Sequence, residues 1–189
     1  MSSRAAKIAN LRAHLSTIAP MRTGSPPVAT GIPELDAHIQ GWPCPGLVGI
    51  HGAAGTGRIG LVLPALKLHT QAHRMVAIVD PLGWLYPPGL PGLHLQYLML
   101  IRCGGARAAW ATAQLAASGA VPLIILLDPP PLGRDARRML RATESGKSTV
   151  VVLTERPDPQ LCAPVRLRTL GQKRVQIERG APTQPVITL

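Results

Sequence analysis

The chain predicts an α/β fold with a mostly parallel central sheet flanked by helices and a short antiparallel extension at its C-terminal end. Apolar runs of strand length alternate with segments of helix length, which is the pattern of a parallel sheet joined by right-handed crossovers. The run 123–127 is apolar without interruption and ends in Asp128, as a central strand buried on both faces would. A glycine-rich stretch follows directly on the first of these runs, at the carboxyl end where open α/β sheets hold ligands. At 189 residues the chain suits one folded core with an appendage: residues 1–25 as an N-terminal amphipathic arm with linker, and 26–189 as the core.

In the arm, Ile8, Leu11, Leu15 and Ile18 recur at helical spacing while Arg4, Lys7 and Arg12 fall elsewhere around the axis. Such a helix either packs on its own domain or docks on another chain, and the linker that follows, rich in proline and small residues, suits the second use. In the stretch 30–36 Thr30 is positioned to cap a short helix, and the turn-rich stretch 40–46 leads into a buried strand at 47–51.

The strand runs into Gly52-Ala53-Ala54-Gly55-Thr56-Gly57-Arg58-Ile59. This is the spacing of the phosphate-binding motif G-x-x-x-x-G-K-[ST], whose backbone amides wrap phosphates, whose lysine reaches them and whose hydroxyl holds Mg²⁺. Gly52, Gly55, Thr56 and Gly57 keep the loop, but Arg58 replaces the lysine and Ile59 the hydroxyl. A guanidinium fork is a different tool from an ammonium, and an isoleucine cannot ligate a cation. The expectation is a nucleotide-binding scaffold without hydrolysis and with no cofactor or metal. The helix after the loop contains Pro64, which removes an internal donor and should kink it.

A second strand at 75–79 ends in Asp80 and leads into a proline-rich loop carrying Trp84 and Tyr86. A third strand spans 98–101, an alanine-rich helix 107–118, and a strand 150–153 follows a further helix. Short runs at 164–170, 174–177 and 186–189 close the chain as antiparallel strands. Both aspartates and the glycine loop should meet at one end of the sheet.

Composition narrows the function classes. Lys and Arg number 20 against 9 Asp and Glu, a net charge of +11, which favours an anionic partner, nucleic acid or acidic protein. The chain has no Phe, 2 Tyr and 3 Trp, too few aromatics for base stacking along a single strand. Cys44, Cys103 and Cys162 are far apart and form no CxxC pair, which argues against a zinc site or a disulfide framework. The apolar runs fall short of a membrane span and the first residues lack a signal-peptide pattern, so a cytoplasmic, nucleoid-associated protein is expected. Two basic sets stand out. Arg134, Arg137, Arg138 and Arg141 project from one helix face, with Met139 and Leu140 turned to the sheet; Arg166 and Arg168 share a strand face near Lys173 and Arg174. Each set either contacts DNA or a protein partner, or is a solvated surface.

The stretch Thr30-Gly31-Ile32-Pro33-Glu34-Leu35-Asp36, the altered loop, the run 118–128 ending in Asp128, and the closing segments 163–168 and 175–182 together resemble the RecA recombinase core in order and spacing. Within that group, a short basic chain with a weakened loop most resembles the ImuA family of translesion mutagenesis cassettes, related to SulA. The resemblance implies a RecA-like core with Asp128 at the Walker B position. Leu82 stands where RecA has the glutamate that activates water, and the two DNA-binding loops are cut down to 129–133 and 156–161. It implies as partners RecA, the Y-family polymerase-like protein ImuB, the error-prone replicative-type polymerase and DNA, with no membrane. The implied role is that of a non-catalytic accessory protein that regulates RecA and supports error-prone translesion DNA synthesis. Alternatives are a SulA-like cell-division inhibitor, a weak ATPase using Arg58 and Asp128, and a general DNA-binding module.

Overall fold

Eight strands form one sheet in the order β3-β2-β4-β5-β1-β6-β7-β8 in the computed structural model, which describes residues 26–189. The arm helix with Ile8, Leu11, Leu15 and Ile18 lies outside the described residues. In chain order the elements are α1 (Pro33–Ile39), β1 (Gly46–His51), α2 (Arg58–Gln71), β2 (Val76–Val79), β3 (Leu98–Ile101), α3 (Gly105–Ser118), β4 (Leu123–Leu127), α4 (Arg134–Gly146), β5 (Thr149–Thr154), β6 (Val165–Gly171), β7 (Arg174–Arg179) and β8 (Val186–Thr188). From β3 across to β6 neighbouring strands are parallel; β7 and β8 add antiparallel. The expected mixed sheet with its antiparallel close is what the chain forms.

The sequence dictates this division. Strands β2, β4 and β1 are buried at every position, which needs helices on both faces of the sheet. On one face α1 and α2 cover Val48, Ile50, Ile125, Val151 and Leu153; on the other α3 and α4 cover Ala77, Val79, Ile124, Leu126, Val150 and Val152. Beyond β1 the burial turns alternate, with Val165, Leu167 and Thr169 inside and Arg168 outside. That alternation marks the part of the sheet that no α3- or α4-type helix covers.

Some local expectations change. Thr30 does not cap α1, whose N-cap is Ile32; its hydroxyl instead accepts the Ile32 amide at 3.1 Å, while its own amide donates to Asp36 at 3.1 Å. The turn is held just ahead of the helix rather than at its first residue. Helix α2 continues through Pro64, which removes the donor that the Gly60 carbonyl would ordinarily meet but does not end the helix. The ring has a packing role: a Cβ placed on Gly31 would lie 2.7 Å from the Pro64 Cβ, and Gly31 has φ +77°, so only glycine serves there.

His69 on α2 is 2% exposed, and its Nδ1 has no hydrogen-bond partner. Burial, with Arg74 adding to it, pulls its pKa from 6.5 down to about 4. The fold therefore holds the imidazole neutral, and the unfolded chain takes up the proton first as pH falls. The penalty is absent above pH 6.5, grows below it and is complete below about 4, reaching roughly 3 kcal/mol by linkage. Urea titrations of the chain and of His69→Met at pH 7.5 and pH 4.5 should show the wild type losing more stability between the two pH values than the variant does.

Candidate functional site

The glycine loop is held by hydrogen bonds of its own. The amide of Gly52 donates to the Thr154 carbonyl at 3.2 Å, continuing the β1–β5 ladder past the strand end. Thr56 then closes the loop, its hydroxyl donating to the Ala53 carbonyl at 2.7 Å and its amide to the same oxygen at 3.2 Å. The Thr169 hydroxyl on β6 shares a 2.6 Å hydrogen bond with Thr56 Oγ1 and lies 3.4 Å from the His51 carbonyl. A Cβ on Gly52 would fall 2.0 Å from Thr169 Oγ1, so the glycine is needed for close approach by β6. Helix α2 starts immediately after the loop, at Arg58.

Arg58 does not project freely from this helix end. Its Nη1 donates to Asp128 Oδ1 at 2.5 Å and its Nη2 to Oδ2 at 3.2 Å, a two-pronged pair between a guanidinium 12% exposed and a carboxylate 25% exposed. Asp128 is aimed by the left-handed turn after β4, with φ +34°, and its amide donates to the Leu153 carbonyl at 2.8 Å. The residue at the lysine position and the residue at the Walker B position thus meet each other. Ile59, at the hydroxyl position, is 36% exposed. Asp80 is buried, and its carboxylate accepts the amides of Gly83 at 2.9 Å and Leu85 at 2.8 Å, which shapes the loop after β2.

Gly55, Gly57, Arg58, Asp80 and Asp128 do converge, as expected, on a cleft of about 370 Å³. Its remaining walls are mostly apolar, with Leu82, Trp84, Leu127 and Leu153 among them. Thr56 lies on the other flank of the loop, where it lines a separate cavity of about 440 Å³ with Thr169, Lys173 and Arg174. Gly52 is buried beneath the loop.

The basic residues fall into different environments. Arg134, Arg137, Arg138 and Arg141 are all exposed on α4, while Met139 is fully buried and Leu140 packs against the core behind them. Arg166 and Arg168 share a face of β6, but Arg166 spends its Nη2 on the carbonyls of Leu161 at 2.8 Å and Asp158 at 3.4 Å, holding the connector from β5. Arg168 is exposed beside it. Lys173 and Arg174 are exposed at the β6–β7 turn. On the same uncovered face, His51 Nε2 lies 3.3 Å from Glu178 Oε1; burial holds the imidazole pKa below its ordinary value against the pull of Glu178, with Arg166 and Arg168 reinforcing the depression. Among the described residues no group of His, Cys, Asp or Glu could hold a metal ion, and no helix is long and apolar enough to cross a membrane.

Sequence reasoning did not find the Arg58–Asp128 pair, the Thr169 hydroxyl under the loop, or Trp84 and Glu155 as cleft walls. A long separation in sequence hides the first two. Trp84 did leave a signal, an aromatic in a proline-rich loop directly after a strand end.

No protein-family model matches the chain, and no curated protein matches it. Among solved structures it is similar to the RadB recombinase, with a TM-score of 0.69 and 17% sequence identity over 84% of this chain and 93% of that one. The core therefore has the RecA-like fold.

The ion pair is partly buried, so removing one partner strands the other. Asp128→Ala should cost about 2 kcal/mol in urea denaturation, between the values for exposed and buried pairs. The Arg58→Ala, Asp128→Ala double variant should lose less than the sum of the two single losses.

Proposed function

We propose that this chain is a non-catalytic RecA-like accessory protein of DNA damage tolerance. In this reading it regulates RecA and supports error-prone translesion synthesis through contacts with RecA, an ImuB-type polymerase-like protein and the error-prone replicative-type polymerase, in the cytoplasm. The observation that carries the non-catalytic part is the Arg58–Asp128 pair. Two of the Arg58 donors and both oxygens of Asp128 are engaged in this contact, the charge of each is neutralised by the other, and Ile59 offers no oxygen for a cation. Leu82, where an activating base would be needed, is an apolar wall. The likeness to a recombinase supports a partner of the same family: a core of that shape can meet a RecA protomer by the surfaces that protomers present to one another, while its altered loop contributes no hydrolysis.

The exposed Arg134, Arg137, Arg138 and Arg141 favour a second, compatible contact with DNA, since a row of guanidiniums on one helix face neutralises phosphates without reading bases.

Sedimentation of the nuclease-treated protein with purified RecA, with and without single-stranded DNA and nucleotide, tests the reading. Association at micromolar or tighter affinity is expected, weakened by deleting residues 1–25, together with ATP turnover at background in both wild type and Asp128→Ala. Absence of RecA binding would overturn the regulatory reading, and turnover lost in Asp128→Ala would overturn the non-catalytic one. For the DNA contact, affinity should fall steeply with salt for every sequence, and Arg137→Glu with Arg141→Glu should flatten that slope.

A further inference from the structure

The cleft over the glycine loop has the wrong charge for phosphate. One guanidinium, Arg58, faces the carboxylates of Asp80, Asp128 and Glu155, and the guanidinium is already bound to one of them. A second cleft of about 450 Å³ adjoins it, sharing Leu82, Trp84, Asp128 and Glu155 and adding Asp158 and the cation Arg156 with a wall of prolines. Asp80, Asp128, Glu155 and Asp158 are thus drawn to these two clefts out of only 9 acidic residues in a chain of net charge +11. Between the clefts Trp84 is 77% exposed and Leu82 49% exposed. An indole face, apolar walls and four carboxylates against the two guanidiniums of Arg58 and Arg156, with Glu155 the exposed acid among them, form a receptor for a polypeptide that alternates apolar and cationic side chains, which meets Glu155 and the ring.

One segment of this chain has that composition. Residues 1–25 contain Arg4, Lys7, Arg12 and Arg22, the apolar set Ile8, Leu11, Leu15 and Ile18, and no Asp or Glu. The charge of the segment is therefore opposite to that of the clefts and the same as that of the rest of the surface, which would repel it. Reach also permits the contact. Val28 pairs with Trp42 ahead of β1, and the clefts lie past its other end, so the segment must travel about one strand length, roughly 20 Å. Residues 20–25, fully extended, span about 20 Å.

We infer that residues 1–25 of this chain seat in the paired clefts over the glycine loop, with Trp84 against the apolar stripe and Glu155 against its cations. The segment fills the space that a nucleotide takes in proteins with an intact loop motif, and it is released when it docks on a partner. The inference stands whether or not that partner is RecA.

The test uses the full chain with Trp110→Phe, which leaves Trp84 as its exposed indole beside the buried Trp42. Acrylamide quenching at low salt should show Trp84 protected in this protein and severalfold more accessible when Arg4, Lys7 and Arg12 are changed to Glu. Adding Glu155→Arg to that reversed segment should restore the protection, an outcome that general misfolding would not produce. Protection that rises with protein concentration would place the segment in the cleft of a second copy, and constant protection in its own; both support the seating. Equal accessibility in the parent and the reversed protein would overturn it. So would protection of Trp84 by Mg-ATP to the same extent in both proteins, since the clefts would then still be open to nucleotide.

Discussion

Strand β1 lies between β5 and β6 and is parallel to both, with His51 opposite Thr154 on one side and Arg168 on the other. That double pairing determines where the site can be. It brings the loops after β1, β4 and β5 to one end of the sheet, and it carries Thr169 of β6 beneath Gly52. Moving the register by a single residue would turn every side chain of β1 to the opposite face. It would also set Thr169 away from the loop that it supports. Strand pairing is thus what places the glycine loop and the hydroxyl that supports it.

The same arrangement gives the altered loop an internal partner. In an intact motif the charges of the lysine and the metal are balanced by the phosphates of the ligand. Here a guanidinium with a rigid fork replaces the lysine, and it matches both oxygens of Asp128. The cation at the lysine position is therefore engaged by an internal carboxylate, and Ile59 places an apolar side chain where the motif would supply a cation ligand. Asp80 is also engaged, its carboxylate accepting the Gly83 and Leu85 amides.

Much of the sheet was legible in the sequence because its causes are local. The unbroken apolar run 123–127 requires burial on both faces, and the glycines from Gly52 to Gly57 require a turn, so β4, β1 and the loop could be placed without knowledge of contacts. The four-arginine face of α4 was legible for the same reason, since helical spacing alone puts those side chains together. What could not be read were pairings across long separations. Arg58 and Asp128 are 70 residues apart and Thr56 and Thr169 are 113 apart, and nothing in the local pattern of any of them identifies its partner. Arg166 illustrates the limit from the other side. Its strand parity was correct, yet its guanidinium is engaged by the Leu161 and Asp158 carbonyls, so it braces the connector after β5.

Charge distribution connects these local facts to what the surface can recognise. Electrostatic attraction between exposed groups fades over about 10 Å at ordinary salt, so a partner reads the nearby charges rather than the total of +11. On the α4 face those are Arg134, Arg137, Arg138 and Arg141; over the glycine loop they are Glu155 and the carboxylates around an already engaged Arg58. An anionic partner is thus attracted to the helix face and turned away from the cleft, whereas a basic segment is treated in the opposite way. In a protein with an intact loop motif the two surfaces would compete for the same polyanions. Exchanging the loop's lysine for an arginine that Asp128 captures separates them, and leaves one fold with two surfaces of opposite preference.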